Sequence, residues 1–218
     1  MPRGFFITFE GLDGSGKSTQ LGCLQTLLET RGESVTATRQ PGGTRIGDRI
    51  RGLLLDSRTE ALSPLTELGL MFADRAQSLA EVIRPALERG RVVLCDRFTD
   101  STEAYQGGGR QLGSQIVLDL HAQLCGGLQP DLTFLLLPDL ERALQRARRR
   151  NTRAEAERSR GRNENRFESE DHAFYRRVLE KYREIAARET GRVVVIDGDG
   201  SIEEVRQRIA NLTQERLR

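Results

Sequence analysis

Residues 11–18 read GLDGSGKS; the apolar run FFITFE (5–10) precedes them, and an amphipathic stretch, 17–31, follows. Gly11 and Gly16 bracket four residues, with Lys17 and Ser18 next, which is the pattern of a phosphate-binding loop between a strand and a helix. Each residue type has a physical reason to be there. Glycine admits backbone conformations closed to other residues, so successive N–H groups can point inward at an anion. The following helix adds the partial positive charge of its N-terminus. Lys17 can reach the outer phosphates, and the Ser18 hydroxyl suits Mg²⁺. Gly11, Leu12, Asp13, Gly14, Ser15, Gly16, Lys17, Ser18 and Thr19 are therefore the expected triphosphate-binding segment. A Gly-rich turn that merely precedes a helix is the plain alternative. Against it stands the scarcity of lysine: Lys17 and Lys181 are the only two, and Arg would serve a structural turn as well.

The totals bound the rest. At 218 residues the chain is read as a single domain, 1–218, long enough to bury a sizeable core. A net charge of +2 argues against a general polyanion binder. The 37% of apolar residues gather into short runs separated by amphipathic stretches, a globular pattern. Cys23, Cys95 and Cys125 are odd in number and lack metal-ligand spacing, which favours reduced thiols and a cytoplasmic location. His121 and His172 stand alone, so solvated or capping histidines are expected rather than a zinc site. No stretch is long and apolar enough to span a bilayer, and the N-terminus runs straight into a strand, leaving no room for a signal peptide.

Short runs at 4–9, 34–38, 91–95, 131–137 and 192–196 lack strict alternation, as strands buried on both faces of a parallel sheet do. Amphipathic stretches at 17–31, 64–89, 112–125, 139–150, 168–189 and 202–216 lie between them. The expected fold is α/β, a five-stranded parallel sheet with helices on both faces. Asp199 or Ser201 could cap the last helix, with Glu204, three residues after Ser201, as a capping-box partner. Residues 146–166, RARRRNTRAEAERSRGRNENR, are nearly devoid of large apolar side chains.

Ligands in such folds gather beyond the carboxyl ends of the strands. There the sequence places the loop, TRQPGGT (38–44) and DRFTDS (96–101). The Asn-Lys-x-Asp guanine reader is absent, and the third strand ends VVLCDR instead of in an Asp-Glu pair. Asp96 can still hold Mg²⁺ through water. Arg97 beside it suits a phosphate, which suggests a second, phosphorylated ligand. The Arg-rich strip 146–166 reads as a mobile lid that closes over the phosphates; a solvated helix face or a nucleic-acid arm are the alternatives. The latter is disfavoured because no aromatic residue interleaves the arginines. Phe72 and Arg75, three apart on a long helix, could stack and hydrogen-bond a base, or be a core Phe beside a surface Arg.

Together FEGLDGSGKST (9–19), TRQPGGT, LMFADRAQ (70–77), VIRPALERGRVVLCDRFTDSTEAYQGGGR (82–110) and PDLTFLLLP (130–138) resemble the thymidylate kinase family. The resemblance implies a P-loop nucleoside monophosphate kinase fold with a short Arg-rich lid. It implies ATP and dTMP as substrates with Mg²⁺, a place in dTTP synthesis, and a homodimer. It also implies that Phe72 stacks on thymine, Arg75 donates to its carbonyl, and Arg97 contacts the acceptor phosphate. Ser101 and Gln106 would line the base and sugar region, Tyr105 would crowd the 2′ position, and Asp13 would receive the 3′-hydroxyl. Arg39 and Pro41 would belong to the acceptor-side loop, and Ser18 and Asp96 to the metal site. The loop carries no internal Arg, so the chain resembles the bacterial type whose catalytic cation comes from the lid. Arg166 and Arg153 then join Lys17, Asp13 and Arg97 as the expected catalytic set. Gln40 departs from the Glu of many relatives, and NTRAEAERSR (151–160) looks inserted. Another nucleotide kinase of this fold, an idle nucleotide sensor and a nucleic-acid binder are the competing readings.

Overall fold

A computed structural model describes residues 3–56, 62–146 and 166–217. Strand β1 (Phe6–Gly11) leads through the loop into α1 (Lys17–Thr30), β2 (Val35–Arg39) and α2 (Arg45–Leu55). Helix α3 (Pro64–Ser78) runs on through a π turn (Leu79–Ile83) and Arg84–Glu88 to β3 (Val92–Asp96). A helical segment, α4 (Thr99–Thr102, continuing as Glu103–Gly109), precedes α5 (Ser114–Cys125) and β4 (Leu132–Leu136). Residues 140–146 are helical (α6), and α7 (His172–Arg188), β5 (Val193–Ile196) and α8 (Ile202–Arg216) complete the order. Nearly all of the expected lid, Arg153 included, lies outside the described residues.

Among the described residues all four strand pairings are parallel, in the order β2-β3-β1-β4-β5. The chain leaves β1 toward β2 on one side and later returns to β4 on the other, so the order reverses at β1. A crevice opens at the carboxyl ends there. Side chains alternate across the sheet, yet both faces are covered. Ile7, Phe9, Leu94 and Phe134 pack with Leu24, Leu28 and Ile209 on one face. Phe6, Val93 and Cys95 pack with Leu68, Phe72 and Ile83 on the other. Each fully buried Phe, Leu or Ile removes enough apolar surface from water to contribute about 1.5–3 kcal/mol.

Helices α2 and α4 did not stand out in the sequence. Helix α4 is poor in helix-forming signal, ending in three glycines, while α2 has apolar residues at helical spacing (Ile46, Ile50, Leu53, Leu54) but is interrupted by Gly47 and Gly52. Tertiary context holds them instead. Thr44 Oγ1 caps α2 by accepting from Gly47 N (2.8 Å). The α4 glycines permit close packing on α7: a Cβ at Gly109 would lie 2.5 Å from Phe174, and one at Gly108 2.7 Å from Lys181 Cβ. The expected capping box is present, with Ser201 and Glu204 exchanging bonds. His121, expected in solvent or at a cap, is instead buried, bonded to Thr99 Oγ1 (3.0 Å) and held largely neutral by burial, which depresses its pKa to about 4.

Gly11 closes β1 at φ 129°, and a Cβ there would sit 2.2 Å from the Leu136 carbonyl oxygen of β4. No rotamer relieves such a clash, because both partners are backbone. Gly11→Ala is expected to cost about 1–3 kcal/mol of stability or more, seen as a lowered urea midpoint with little change in slope. An unshifted midpoint would mean that β1 and β4 separate at no cost.

Candidate active site

Gly14 (φ 79°) and Gly16 (φ 98°) curl the loop between β1 and α1. Lys17, nearly buried, donates from Nζ to the carbonyls of Gly11 (3.0 Å) and Leu12 (2.8 Å), turning back across the loop. Burial, and after it the charge of Arg97, lowers its pKa to about 8. Ser18 Oγ donates to Asp96 Oδ2 (2.8 Å), and Asp96 Oδ1 is buried with no partner among the described residues. A hydroxyl and a carboxylate with a spare oxygen are the hard donors that Mg²⁺ prefers, so the residues present fit that ion.

Arg97 follows β3 with a left-handed backbone (φ 70°), rare for a side chain of this size and the kind of strain found at working sites. Its guanidinium donates to Asp13 Oδ1 (3.0 Å), to Ser101 Oγ (3.0 Å) and, at longer range, to Tyr105 Oη (3.4 Å) and Tyr182 Oη (3.5 Å). The Tyr105 ring lies beneath it, 5.0 Å from Cζ to the centroid. Glu10, wholly buried in β1, accepts from Phe98 N (2.7 Å) and Tyr182 Oη (3.2 Å), and Ser101 also bonds to it. Glu10 thus underpins Arg97 through Ser101 and Tyr182. Burial, helped by the charge of Asp100, raises the Glu10 pKa to about 7.

On α3, Arg75 is almost fully buried. Its Nε donates to Gln40 Oε1 (2.8 Å), and its Nη2 to Thr102 Oγ1 (2.8 Å) and Phe98 O (3.1 Å). Arg75 Nη1, Gln40 Nε2 and Gln106 Oε1 are buried without a partner among the described residues. Phe72 is 1% exposed, in the core cluster with Leu68 and Phe98, and the Arg75 guanidinium covers its ring at 4.9 Å. Gln106 Nε2 donates to the buried Glu67 (2.7 Å), which also receives Arg110 (3.2 Å) and Arg166 Nη2 (2.6 Å). Arg166 is therefore drawn to α3 in this conformation. Arg39 pairs with Asp48 (3.3 Å) at the surface, and the Pro41 carbonyl accepts from Arg51 (2.9 Å). Asp74 Oδ1 accepts from Gly42 N (2.8 Å), which ties the TRQPGGT loop to α3.

The structure thus gathers the loop, Asp96, Arg97, Ser101 and Tyr105 at the crevice beyond β1 and β3, with Arg75 and Gln106 beside them. Sequence reasoning missed Glu10, Glu67 and Tyr182. Glu10 had a signal, a lone charge inside an apolar run; Tyr182 sits on an ordinary amphipathic helix and had none.

The parallel sheet with its reversal at β1 and the loop-to-helix phosphate cradle define a P-loop phosphotransferase of the nucleoside monophosphate kinase fold. The Thymidylate kinase family model matches residues 9–209, and the chain belongs to that family. It is 49% identical over 215 residues to the thymidylate kinase of Pelobacter propionicus, covering 98% of this chain and 96% of that one. Against the thymidylate kinase of Citrifermentans bemidjiense it is 46% identical, with 98% and 93% covered. The crystal structure of thymidylate kinase from Ehrlichia chaffeensis superposes with a TM-score of 0.76 at 32% identity, covering 98% of this chain and 99% of that one.

The raised Glu10 pKa has a consequence for stability. The folded protein holds that proton up to about pH 7, whereas an ordinary Glu releases it near 4.5, so stability falls as pH rises through this window. Glu10→Gln cannot titrate. Its stability relative to the parent is therefore expected to rise between the two ends of the window in paired urea melts; a pH-independent difference would show that Glu10 is ionised throughout.

Proposed function

We propose that this protein transfers the γ-phosphoryl group of ATP to dTMP, giving ADP and dTDP, as a step toward dTTP. The observation that carries the reading is the meeting of two phosphate-seeking groups at one crevice: the Lys17–Ser18 loop, and Arg97 held against Asp13. Residues 11–19 hold the ATP phosphates by backbone N–H groups and Lys17. A phosphate approaching Lys17 favours its charged form, so ATP binding opposes the downward shift that burial causes. Ser18 and Asp96 would hold Mg²⁺, which supplies charge neutralisation to the donor phosphates.

Arg97 is the proposed contact to the acceptor phosphate. Tyr105 beneath it crowds the sugar 2′ position and so favours deoxyribose, and Asp13 receives the 3′-hydroxyl. Ser101 and Gln106 line the same cavity, Arg75 offers Nη1 to a base carbonyl, and Arg39 and Pro41 border the acceptor side. A monophosphate is already largely ionised near neutral pH, so its oxygen attacks without a general base. Catalysis then rests on position and charge, with water excluded by the Arg-rich lid of this single domain. Arg166 or Arg153 is the proposed lid cation. A homodimer and a cytoplasmic location belong to the same proposal; among the described residues no helix is long and apolar enough to cross a membrane.

An ADP-release assay with ATP, Mg²⁺ and dTMP, dUMP, dCMP, dGMP and ribo-TMP in parallel tests the reading. Preferential turnover of dTMP is expected. Turnover of none, with ATP still bound tightly, would leave a nucleotide sensor instead. Arg166→Ala is expected to lower kcat roughly 10²-fold, as removal of a charge-stabilising donor does. If only stability or KM for dTMP moved, the role of Arg166 would be its bond to Glu67.

A further inference from the structure

Helix α3 offers two adjacent large apolar side chains, Met71 and Phe72, and the structure sends them in different directions. With about 3.6 residues per turn, Glu67, Met71, Asp74 and Ser78 share one stripe, and Leu68, Phe72 and Leu79 share another. The second stripe is core: all three residues pack with Phe6, Val93 and Phe98 under the sheet. The first stripe is polar apart from Met71. Glu67 on it receives Gln106, Arg110 and Arg166, and Asp74 receives the Gly42 amide. Met71 is only partly buried and packs against the cluster that holds Leu12 of the phosphate loop and Tyr105 beneath Arg97.

Arg75 lies on the seam between the stripes, and its guanidinium rests on Phe72 on one side and Phe98 on another, at 4.9 and 5.2 Å. That ring face is already taken. We infer that Met71, not Phe72, is the apolar surface α3 presents to the acceptor's base, and that Phe72 is a positioning residue for Arg75.

A second observation points to a planar ligand beside α3, through Arg75 on that helix and the glutamines bonded to Arg75 and Glu67. Arg75 Nη1, Gln40 Nε2 and Gln106 Oε1 are buried and unpartnered among the described residues. Their assignments are constrained by neighbours, since Gln40 Oε1 accepts from Arg75 Nε and Gln106 Nε2 donates to Glu67. Two donors and one acceptor match a pyrimidine edge bearing two carbonyls and one N–H. A thioether is polarisable, adapts its shape and makes favourable contacts to aromatic rings, so it can cover such a base without an aromatic side chain.

The inference rests on the dTMP reading proposed above, and the test separates the two. Met1 and Met71 are the only methionines, so methyl-¹³C-methionine labelling of the intact protein gives Met71 its own resonance. Saturation with dTMP is expected to move the Met71 methyl upfield by the ring current of the base and to give Overhauser contacts from the thymine methyl. ADP with Mg²⁺, or 2-deoxyribose 5-phosphate, is expected to leave it in place. Met71→Ala is expected to raise KM for dTMP roughly two- to tenfold, the range of a sulfur–aromatic contact, with KM for ATP unchanged. Turnover of dTMP with an unmoved Met71 methyl and thymine contacts to the Phe72 ring would overturn the inference and leave the function standing. Absence of both dTMP binding and turnover would remove the function, and the inference with it.

Discussion

The structure depends on how β1 ends. This strand has a neighbour on each edge and a packed core on each face, so the position of its last residue is determined from four sides. Gly11 lies where the carbonyl of Leu136 leaves no room for a side chain, and its backbone takes a conformation that glycine tolerates best. The loop therefore emerges from a rigid base in one direction. A rigid base of this kind is what preorganised backbone amides need if they are to meet an anion without reorganising.

Around this base the charged residues are arranged as anchors. Asp100 and Glu103 at the start of α4 are each held bidentately by arginines from the far side, Arg192 at 2.7 and 2.8 Å and Arg188 at 2.8 Å on both oxygens. Helix α4 carries Ser101, Tyr105 and Gln106, so these pairs fix the helix that borders the crevice beyond β1 and β3. Glu67 does the same for α3, through Gln106, Arg110 and Arg166. Removing the arginine from buried Asp100, Glu103 or Glu67 would strand a buried carboxylate, which costs more than the pair itself stabilises. Specific geometry, more than net stability, is what these pairs supply.

Much of this was legible in the sequence. The loop, all five strands and six helical stretches could be read because their signals are local: glycine spacing, apolar runs and amphipathic period. Of the two helices that were missed, α4 lacks those signals and ends in glycines that serve tertiary contacts, whereas α2 has an amphipathic period in Ile46, Ile50, Leu53 and Leu54 that the reading passed over, broken by Gly47 and Gly52. Thr44 and the surface of α7 hold them in place. The site residues at the ends of strands, Asp96 and Arg97, could be read for the same reason as the strands themselves.

What the sequence by itself determined was the chemistry available and roughly where along each element it falls: Lys17 and Ser18 after β1, Asp96 and Arg97 after β3, Arg75 on α3. What only the tertiary structure decided was direction. Phe72 and Arg75 lie three apart on a helix and could have faced a ligand together. Packing turned the ring into the core beneath the guanidinium and left Met71 partly buried against the cluster that holds Leu12 and Tyr105. Glu10 appears in the sequence as a charge in a strand; only burial beside Ser101 and Tyr182 makes it the support of Arg97. Helical spacing says which residues share a face, but burial against other elements decides which face meets the ligand.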